Sequence, residues 1–421
     1  MPLRFLTCGE SHGPELNIIL EGIPANLALT EEDVNIDLAR RQGGYGRGGR
    51  MKIEKDRVFF TGGVRHGRTF GGAPIGMKLI NKDHEKWLNV MNAGAVDTND
   101  PEIKKQLDDK YISKVRPGHA DLAGTVKYDA PDVRDILERS SARETTSRVA
   151  AGAVCKKFLA EFGIEIFSHV LQVGEIEVNQ EAKTWWHGHD WTEQNGKYQE
   201  RKNKIESSEL RIYEENPDGA LNQKFKDYID GIRKQGDTVG GLIEVYALGL
   251  PIGLGSHVQW DRRIDGLIAQ ALMSVHTVKS VEVGLGQGVA KTPGSKVHDQ
   301  IYLKPIESDY DAKASRYNRY TNNLGGIEGG MTNGMPVVCT VGVKPIPTLI
   351  SKLDSIDLDT KAESAAHFER SDVCVVPAAG VVLEAMLAVV IAQAFMEKFG
   401  GDSIAEITRN YQSYLKQAEA R

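Results

Sequence analysis

Two histidines lie in glycine turns beside reactive neighbours: His12 in Gly9-Glu10-Ser11-His12-Gly13, and His119 in Arg116-Pro117-Gly118-His119-Ala120-Asp121. A histidine suits proton transfer near neutral pH because its ordinary pKa is about 6.5. Flanking glycines argue against a packing role for His12. Arginine is concentrated nearby in sequence. Residues 40–68 hold seven arginines with Lys52 and Lys55 against only Glu54 and Asp56, a net +7 in a chain of net charge −6. The rest of the chain therefore carries −13, and this contrast points to a local anion site rather than a polyanion-coating surface. Arginine fits that task because its planar fork binds phosphate and carboxylate bidentately. Arg139-Ser140-Ser141-Ala142-Arg143-Glu144-Thr145-Thr146-Ser147-Arg148 opens a predicted helix with hydroxyls, backbone N–H groups and guanidiniums, a good phosphate cradle. Arg370-Ser371-Asp372 stands before an apolar helix in the same way.

Other chemistries fit the same residues less well. Gly9 to Gly13 matches the G-x-S-x-G nucleophile elbow, which would make Ser11 an acyl-transfer serine. That elbow follows several strands and opens a helix, whereas Ser11 is near the start and strand-like Leu16 to Leu20 comes next. Gly44-Tyr45-Gly46-Arg47-Gly48-Gly49 satisfies G-x-G-x-x-G in reversed context, with a helix before it and a strand after. The same run resembles an RGG box for single-stranded nucleic acid, but it is one copy in an acidic chain. A merely solvated basic loop stays open as an alternative. His187 and His189 lack an acid or thiol at metal-ligand spacing. Neither a metal nor a nucleic-acid partner is expected.

These residues need a folded frame, and the composition supplies one. The 421 residues are 40% hydrophobic and 26% charged, which excludes collagen-like and low-complexity chains. Glycine is abundant, at 44 residues. Cys8, Cys155, Cys339 and Cys374 are scattered with no C-x-x-C pair, against a disulfide scaffold or zinc ribbon and for a reducing compartment. The opening residues show no signal-peptide pattern. The apolar stretch Val373 to Phe395 is interrupted by Glu384 and Gln393, short of a membrane span. A cytoplasmic protein without a membrane partner is the expectation.

Helical periodicity predicts four helices. One starts at the capping-box-like Thr30-Glu31-Glu32-Asp33 and ends at Gly43-Gly44. The others span about 146–162, 262–278 and 380–398, the last apolar all round and therefore expected between two layers. Strands are expected at 52–60, 75–80, 242–248 and 337–343. Gly72-Ala73-Pro74-Ile75 and Gly334-Met335-Pro336-Val337 both launch an apolar strand from a Gly-x-Pro turn, a faint internal echo. The polar stretch 183–217 reads as a peripheral surface insertion whose removal leaves activity. No linker divides the remainder, so residues 1–421 are expected to form one domain.

Taken in order, GESHG at 9–13, RRQGGYGRGGRM at 40–51, RPGHAD at 116–121, RSSARETTSR at 139–148, NNLGGIEGGMTNG at 322–334, KPIPT at 344–348 and RSD at 370–372 resemble the chorismate synthase family. The resemblance covers the chain outside 183–217. It implies an α+β fold, a β-α-β sandwich with a helical layer between two antiparallel sheets and internal pseudo-symmetry, assembled as a homotetramer. It implies the last step of the shikimate pathway, 1,4-anti elimination of phosphate from 5-enolpyruvylshikimate 3-phosphate to give chorismate, with reduced FMN. By the same resemblance Arg41, Arg47, Arg50, Arg116, Arg143 and Arg370 face the substrate anions. FMN is expected against Arg139, Ser140, Ser141, His276, Thr277, Gly329, Lys344, Pro345, Ile346, Pro347, Thr348 and Arg370. His12 is expected to protonate the leaving phosphate, His119 to hold the proton balance of the reduced flavin near N1, and Asp372 to act with flavin N5 on the C6 proton. NADPH is the candidate reductant, although no nicotinamide site is visible. The sequence departs from the family at His276-Thr277, where Asn-Ala is frequent, at Val373, where proline is common, and in the length of 183–217.

Overall fold

The computed structural model describes residues 3–48, 55–186, 197–216, 218–303, 317–369 and 371–421. The first sheet is built from β1 (Arg4–Cys8), β2 (Glu15–Glu21), β3 (Val58–Gly62) and β4 (Ile75–Ile80), in the order β1-β2-β4-β3 and antiparallel throughout. The second comprises β5 (Glu165–Val173), β6 (Ile176–Glu177), β7 (Gly241–Leu248), β8 (Val278–Val283) and β9 (Val337–Val343), in the order β8-β9-β7-β5-β6, also antiparallel. β4 and β9, the two strands launched from Gly-x-Pro turns, are both inner strands of their sheets.

The helices that position the site are α1 (Glu31–Gln42), α2 (Val133–Ser140), α3 (Thr145–Ala160), α4 (Lys197–Ser207), α5 (Ala220–Lys234), α6 (Ile264–Met273) and α7 (Val376–Phe399). α1 starts where the sequence says it should, with the Thr30 N–H donating to Asp33 Oδ2 at 2.8 Å. Alternation in β2 and β4 turns Leu16, Ile18, Leu20, Ile75, Met77 and Leu79 inward, all buried. α1 and α3 pack on that face, while α7 packs on β5 and β7 and against α3. The result is a helical layer between two antiparallel sheets. The α3–α7 crossing is close because Gly152 has no side chain: a Cβ there would sit 2.3 Å from Ala385 Cβ.

α7 is long and apolar enough to cross a membrane, but 89% of its apolar window is buried inside the protein. Its mid-helix acid, Glu384, is fully buried and receives Arg40 (2.7 and 2.9 Å), Lys156 (3.0 Å), Arg211 (2.8 Å) and the Ser168 hydroxyl (2.8 Å). Burial alone would push its pKa up. Arg40, Lys156 and Arg211 outweigh that and hold it well below the carboxylate range. α7 begins at Val376 rather than 380 because Pro377 is accommodated in the first turn. α6 stops at Met273, before 278, because Val278 already starts β8.

The stretch 183–217 is less peripheral than its charge suggests. Residues 187–196 and 217 lie outside the described set, but Trp185, Trp186, Tyr198, Arg201, Ile205, Leu210, Ile212 and Tyr213 are all buried. Trp186 packs against Tyr246 of β7, ring centroids 4.5 Å apart and planes tilted by 49°, so the segment covers the sheet face turned away from α7. The many lysines and glutamates hid an amphipathic α4 whose inner side carries Tyr198, Arg201 and Ile205.

Candidate active site

A cavity of about 400 Å³ opens beside the N-terminal ends of α3 and α7, where the turn after β1 meets the 116–120 and 344–348 loops. Its size falls in the roughly 300–1,000 Å³ range of small-molecule sites. It is bordered by His12, His119 and Asp372, by Arg41, Arg47, Arg116 and Arg143, by Ser140, Ser141, His276 and Thr277, and by Lys344, Ile346, Pro347 and Thr348. Residues spread over more than 350 positions of sequence thus meet in one place. Five lining side chains are cationic, against the carboxylates of Asp372 and Glu369.

His12 is fixed from two sides. Its Nδ1–H donates to Glu138 Oε1 at 2.7 Å, and its backbone N–H donates to Glu138 Oε2 at 2.8 Å. Its ring stacks on Trp87, centroids 4.0 Å apart and planes 22° from parallel. The other ring nitrogen, Nε2, is left as the atom that can exchange a proton with a bound molecule. Glu138 also accepts from Arg134 Nη1 at 3.2 Å. Glu369 pairs with Arg134 at 3.5 Å and with His367 at 3.5 Å. Burial works against its charge, but His367, Arg134 and His12 bring its pKa down to about 2.

His119 has the same construction. Its Nδ1–H donates to Asp121 Oδ1 at 2.5 Å. Arg116 grips the same carboxylate through Nε (2.8 Å) and Nη2 (3.0 Å), and turns Nη1 toward Thr348 Oγ1 at 3.3 Å. Burial opposes the Asp121 charge, yet the hydrogen bonds from His119 and Arg116 hold its pKa well below the ordinary range.

The remaining cations are pre-positioned by acids supplied from elsewhere in the chain. Arg143 Nη1 meets Asp56 Oδ1 at 2.6 Å and its Nε meets Asn81 Oδ1 at 2.9 Å. Arg41 donates to the Thr145 hydroxyl and the Ala142 carbonyl, while its Nη1 stands 3.7 Å from Asp56 with no hydrogen bond among the described residues. Burial, with Arg47 and Arg143 nearby, pushes Arg41 down to about 10 against the pull of Asp56. Arg47 Nη1 pairs with Asp372 Oδ2 at 2.8 Å, and the Gly48 N–H donates to Asp372 Oδ1 at 2.5 Å. The loop that carries Arg47 lies flat on the chain ahead of α7, with Val373 N–H donating to the Gly46 carbonyl at 3.0 Å. Gly46 has φ +89°, and a Cβ there would stand 2.8 Å from Cys374 Cβ. Gly46 in the G-x-G-x-x-G run therefore serves close packing against the chain ahead of α7.

On the other side, burial lowers the Lys344 pKa, helped by Lys279, and Lys344 carries its ammonium into the cavity. Thr277 has φ +75°, a strained conformation for a β-branched residue, and its carbonyl accepts the Lys344 N–H at 2.9 Å. Val275, Ile346, Pro347, Ala379 and Val382 make an apolar wall beside these groups. A ligand with a flat apolar ring system and a phosphate tail matches that combination.

Several expected ligands are elsewhere. Arg139 turns to the first strand, its guanidinium donating to the Thr7 and Gly9 carbonyls at 3.0 Å each, so it braces the His12 turn. Pro345 does not border the cavity. Gly329 is in the turn between the short strands Ile327–Glu328 and Met331–Thr332, also off the wall. Arg50 and Arg370 lie outside the described residues. Sequence reasoning missed Glu138, Glu369, Trp87 and Asp56. Arg134 and Glu138 at i,i+4 beside buried Leu137 were a readable signal of a polar pair on an inward helix face. For Trp87 no local signal exists.

Comparison with known proteins shows the family. The family model described as chorismate synthase matches residues 3–396. The chorismate synthase of Geobacter sulfurreducens is 48% identical over 419 residues, 99% of this chain and 100% of that protein. The enzyme of the same name from Aquifex aeolicus is 50% identical over 421 residues, covering 99% and 98%. A crystal structure of a chorismate synthase superposes with a TM-score of 0.76 at 42% identity, covering 100% of this chain and 99% of the other. Identity near one half along the whole length, on a shared fold, means that this chain belongs to the chorismate synthase family.

Proposed function

We propose that this cavity carries the chain's chorismate synthase activity: the 1,4-anti elimination of phosphate from 5-enolpyruvylshikimate 3-phosphate in the shikimate pathway. The observation that carries the reading is the convergence of Arg41, Arg47, Arg116, Arg143 and Lys344 with two oriented histidines around one cavity. The substrate bears a phosphate and two carboxylates. Each charge-assisted hydrogen bond contributes about 1.5–3 kcal/mol, so several guanidiniums hold such a polyanion without a metal. The Arg41 Nη1 donor, buried and without a hydrogen bond among the described residues, is the clearest vacant contact for an anionic oxygen.

Reduced FMN, when bound, supplies transient electron density to the substrate and recovers it, so the elimination has no net redox change. Lys344 and Thr348, Ser140 and Ser141, and the apolar wall of Val275, Ile346 and Pro347 are the residues that would hold it. His12 Nε2 delivers a proton to the departing phosphate, and Glu138 stabilises the imidazolium that this requires. His119 Nε2 holds a proton against the cofactor, its ring locked through Nδ1 by Asp121. Asp372 is the carboxylate that accepts the substrate's C6 proton. Arg47 and the Gly48 N–H orient it. We carry the chain as a single working unit, a homotetramer and NADPH as an external reductant as parts of the same reading.

Binding measurements test the division of labour. Lys344→Ala and Thr348→Val should weaken FMN, followed by its fluorescence, with little change in substrate affinity. Arg41→Ala and Arg47→Ala should do the reverse. Equal loss of both ligands in all four variants would overturn the assignment.

A further inference from the structure

We infer that Tyr45 and the α5 residue Asp230, together with the Glu209 backbone, form an outer clamp that positions the Arg47 loop over the cavity. They are positioning residues for substrate binding. The inference rests on the reading of Arg47 as a substrate ligand.

The loop is held on two sides. Inside, Val373 and Cys374 N–H groups donate to the Gly46 carbonyl at 3.0 and 3.3 Å, and Gly48 and Arg47 meet Asp372. Outside, the Tyr45 N–H donates to the Glu209 carbonyl at 3.2 Å, and the Tyr45 hydroxyl donates to Asp230 Oδ2 at 2.8 Å. Lys226 links Glu209 to the Tyr45 ring: its Nζ is 2.5 Å from Glu209 Oε2 and 5.2 Å from the ring centre. Arg233, also on α5, stands 5.8 Å from that ring.

The outer anchors are tied to the core. Arg211, two residues beyond Glu209, is buried and donates to the Ser168 carbonyl and to Glu384 Oε1, both at 2.8 Å. Glu384 also holds Arg40 of α1, the residue next to Arg41. The end of the 183–217 stretch thus connects to Arg40 and to Tyr45 of the arginine-bearing segment 40–48. A glycine-rich loop has little stiffness of its own. Holding Arg47 without the outer contacts would leave only the Asp372 side, and the ordering cost would be met when substrate binds.

The test uses Tyr45→Phe, Asp230→Asn, Arg47→Ala and the double variant Tyr45→Phe/Arg47→Ala, with steady-state kinetics, thermal melting and amide exchange of residues 43–48. Tyr45→Phe and Asp230→Asn should each raise the substrate KM about five- to tenfold with kcat and melting temperature nearly unchanged, and loop amide exchange should quicken. In the Arg47→Ala background Tyr45→Phe should add nothing further, because the clamp acts through Arg47. An unchanged KM in both single variants, or equal additive losses in the double variant, overturns the clamp. If Arg47→Ala itself leaves KM unchanged, the reading of the site fails instead.

Discussion

Glu138→Gln isolates the group that makes His12 an acid. The change keeps side-chain size and removes the charge. Glu138 is buried and accepts from His12 Nδ1 at 2.7 Å, the His12 backbone N–H at 2.8 Å and Arg134 at 3.2 Å. To give a proton from Nε2 while Nδ1 stays protonated, His12 must be an imidazolium, and only a carboxylate stabilises that cation through a charge-assisted bond. Such a bond contributes about 1.5–3 kcal/mol, and each ~1.36 kcal/mol corresponds to a factor of ten in rate. At pH 7.5 kcat should drop roughly 10- to 100-fold, with little change in KM. Phosphate release under anaerobic conditions reads both quantities, and a melting curve confirms that the variant is folded. A folded Glu138→Gln protein with the parent's rate would refute the role given to the His12–Glu138 pair.

Three other outcomes follow from the geometry. His119→Ala should slow turnover about 10²- to 10⁴-fold, the usual contribution of a positioned proton-transfer group, while its melting temperature stays near the parent's; a parent-like rate contradicts its assignment. Gly46→Ala should destabilise the protein by about 2 kcal/mol in chemical denaturation, because it adds a Cβ at φ +89° and 2.8 Å from buried Cys374; a neutral effect would contradict the packing described for the arginine loop. Buried His169 pairs with Glu244 at 2.8 Å, and burial pushes its pKa down against the pull of that carboxylate. Its stability contribution is complete above the unfolded value of about 6.5 and is lost as pH falls below it, with a slope of at most ~1.36 kcal/mol per pH unit. His276, lowered mainly by burial, adds a slope of the same sign, so His169→Gln should flatten the acid-side loss without abolishing it.

The parts of the fold legible in sequence were those whose pattern is local. β4 and β9 begin and end where alternating or continuous apolar residues begin and end, and α1 starts at its capping box. β5 was not legible: it is buried on both faces, so Glu165–Val173 shows no alternation to separate it from a helix end. The packed side of 183–217 was masked by its charges, since its buried residues find their partners on β7. At the site, the histidines and arginines stood out because glycine and proline surrounded them. Their orienting groups did not, because Glu138 reaches His12 across 126 positions and Trp87 reaches it only through the fold. The local charge of +7 was likewise an incomplete picture. Asp56, Asp121 and Asp372 sit against the site's arginines, so what the fold delivers is orientation more than bare charge.

The most direct measurement mixes purified protein, 5-enolpyruvylshikimate 3-phosphate and chemically reduced FMN without oxygen, and follows phosphate together with the absorbance of the cyclohexadiene product. Phosphate and chromophore should rise one for one with reduced FMN and stay flat with oxidised FMN alone. Phosphate release without the chromophore, or equal rates with either form of the flavin, would contradict the account.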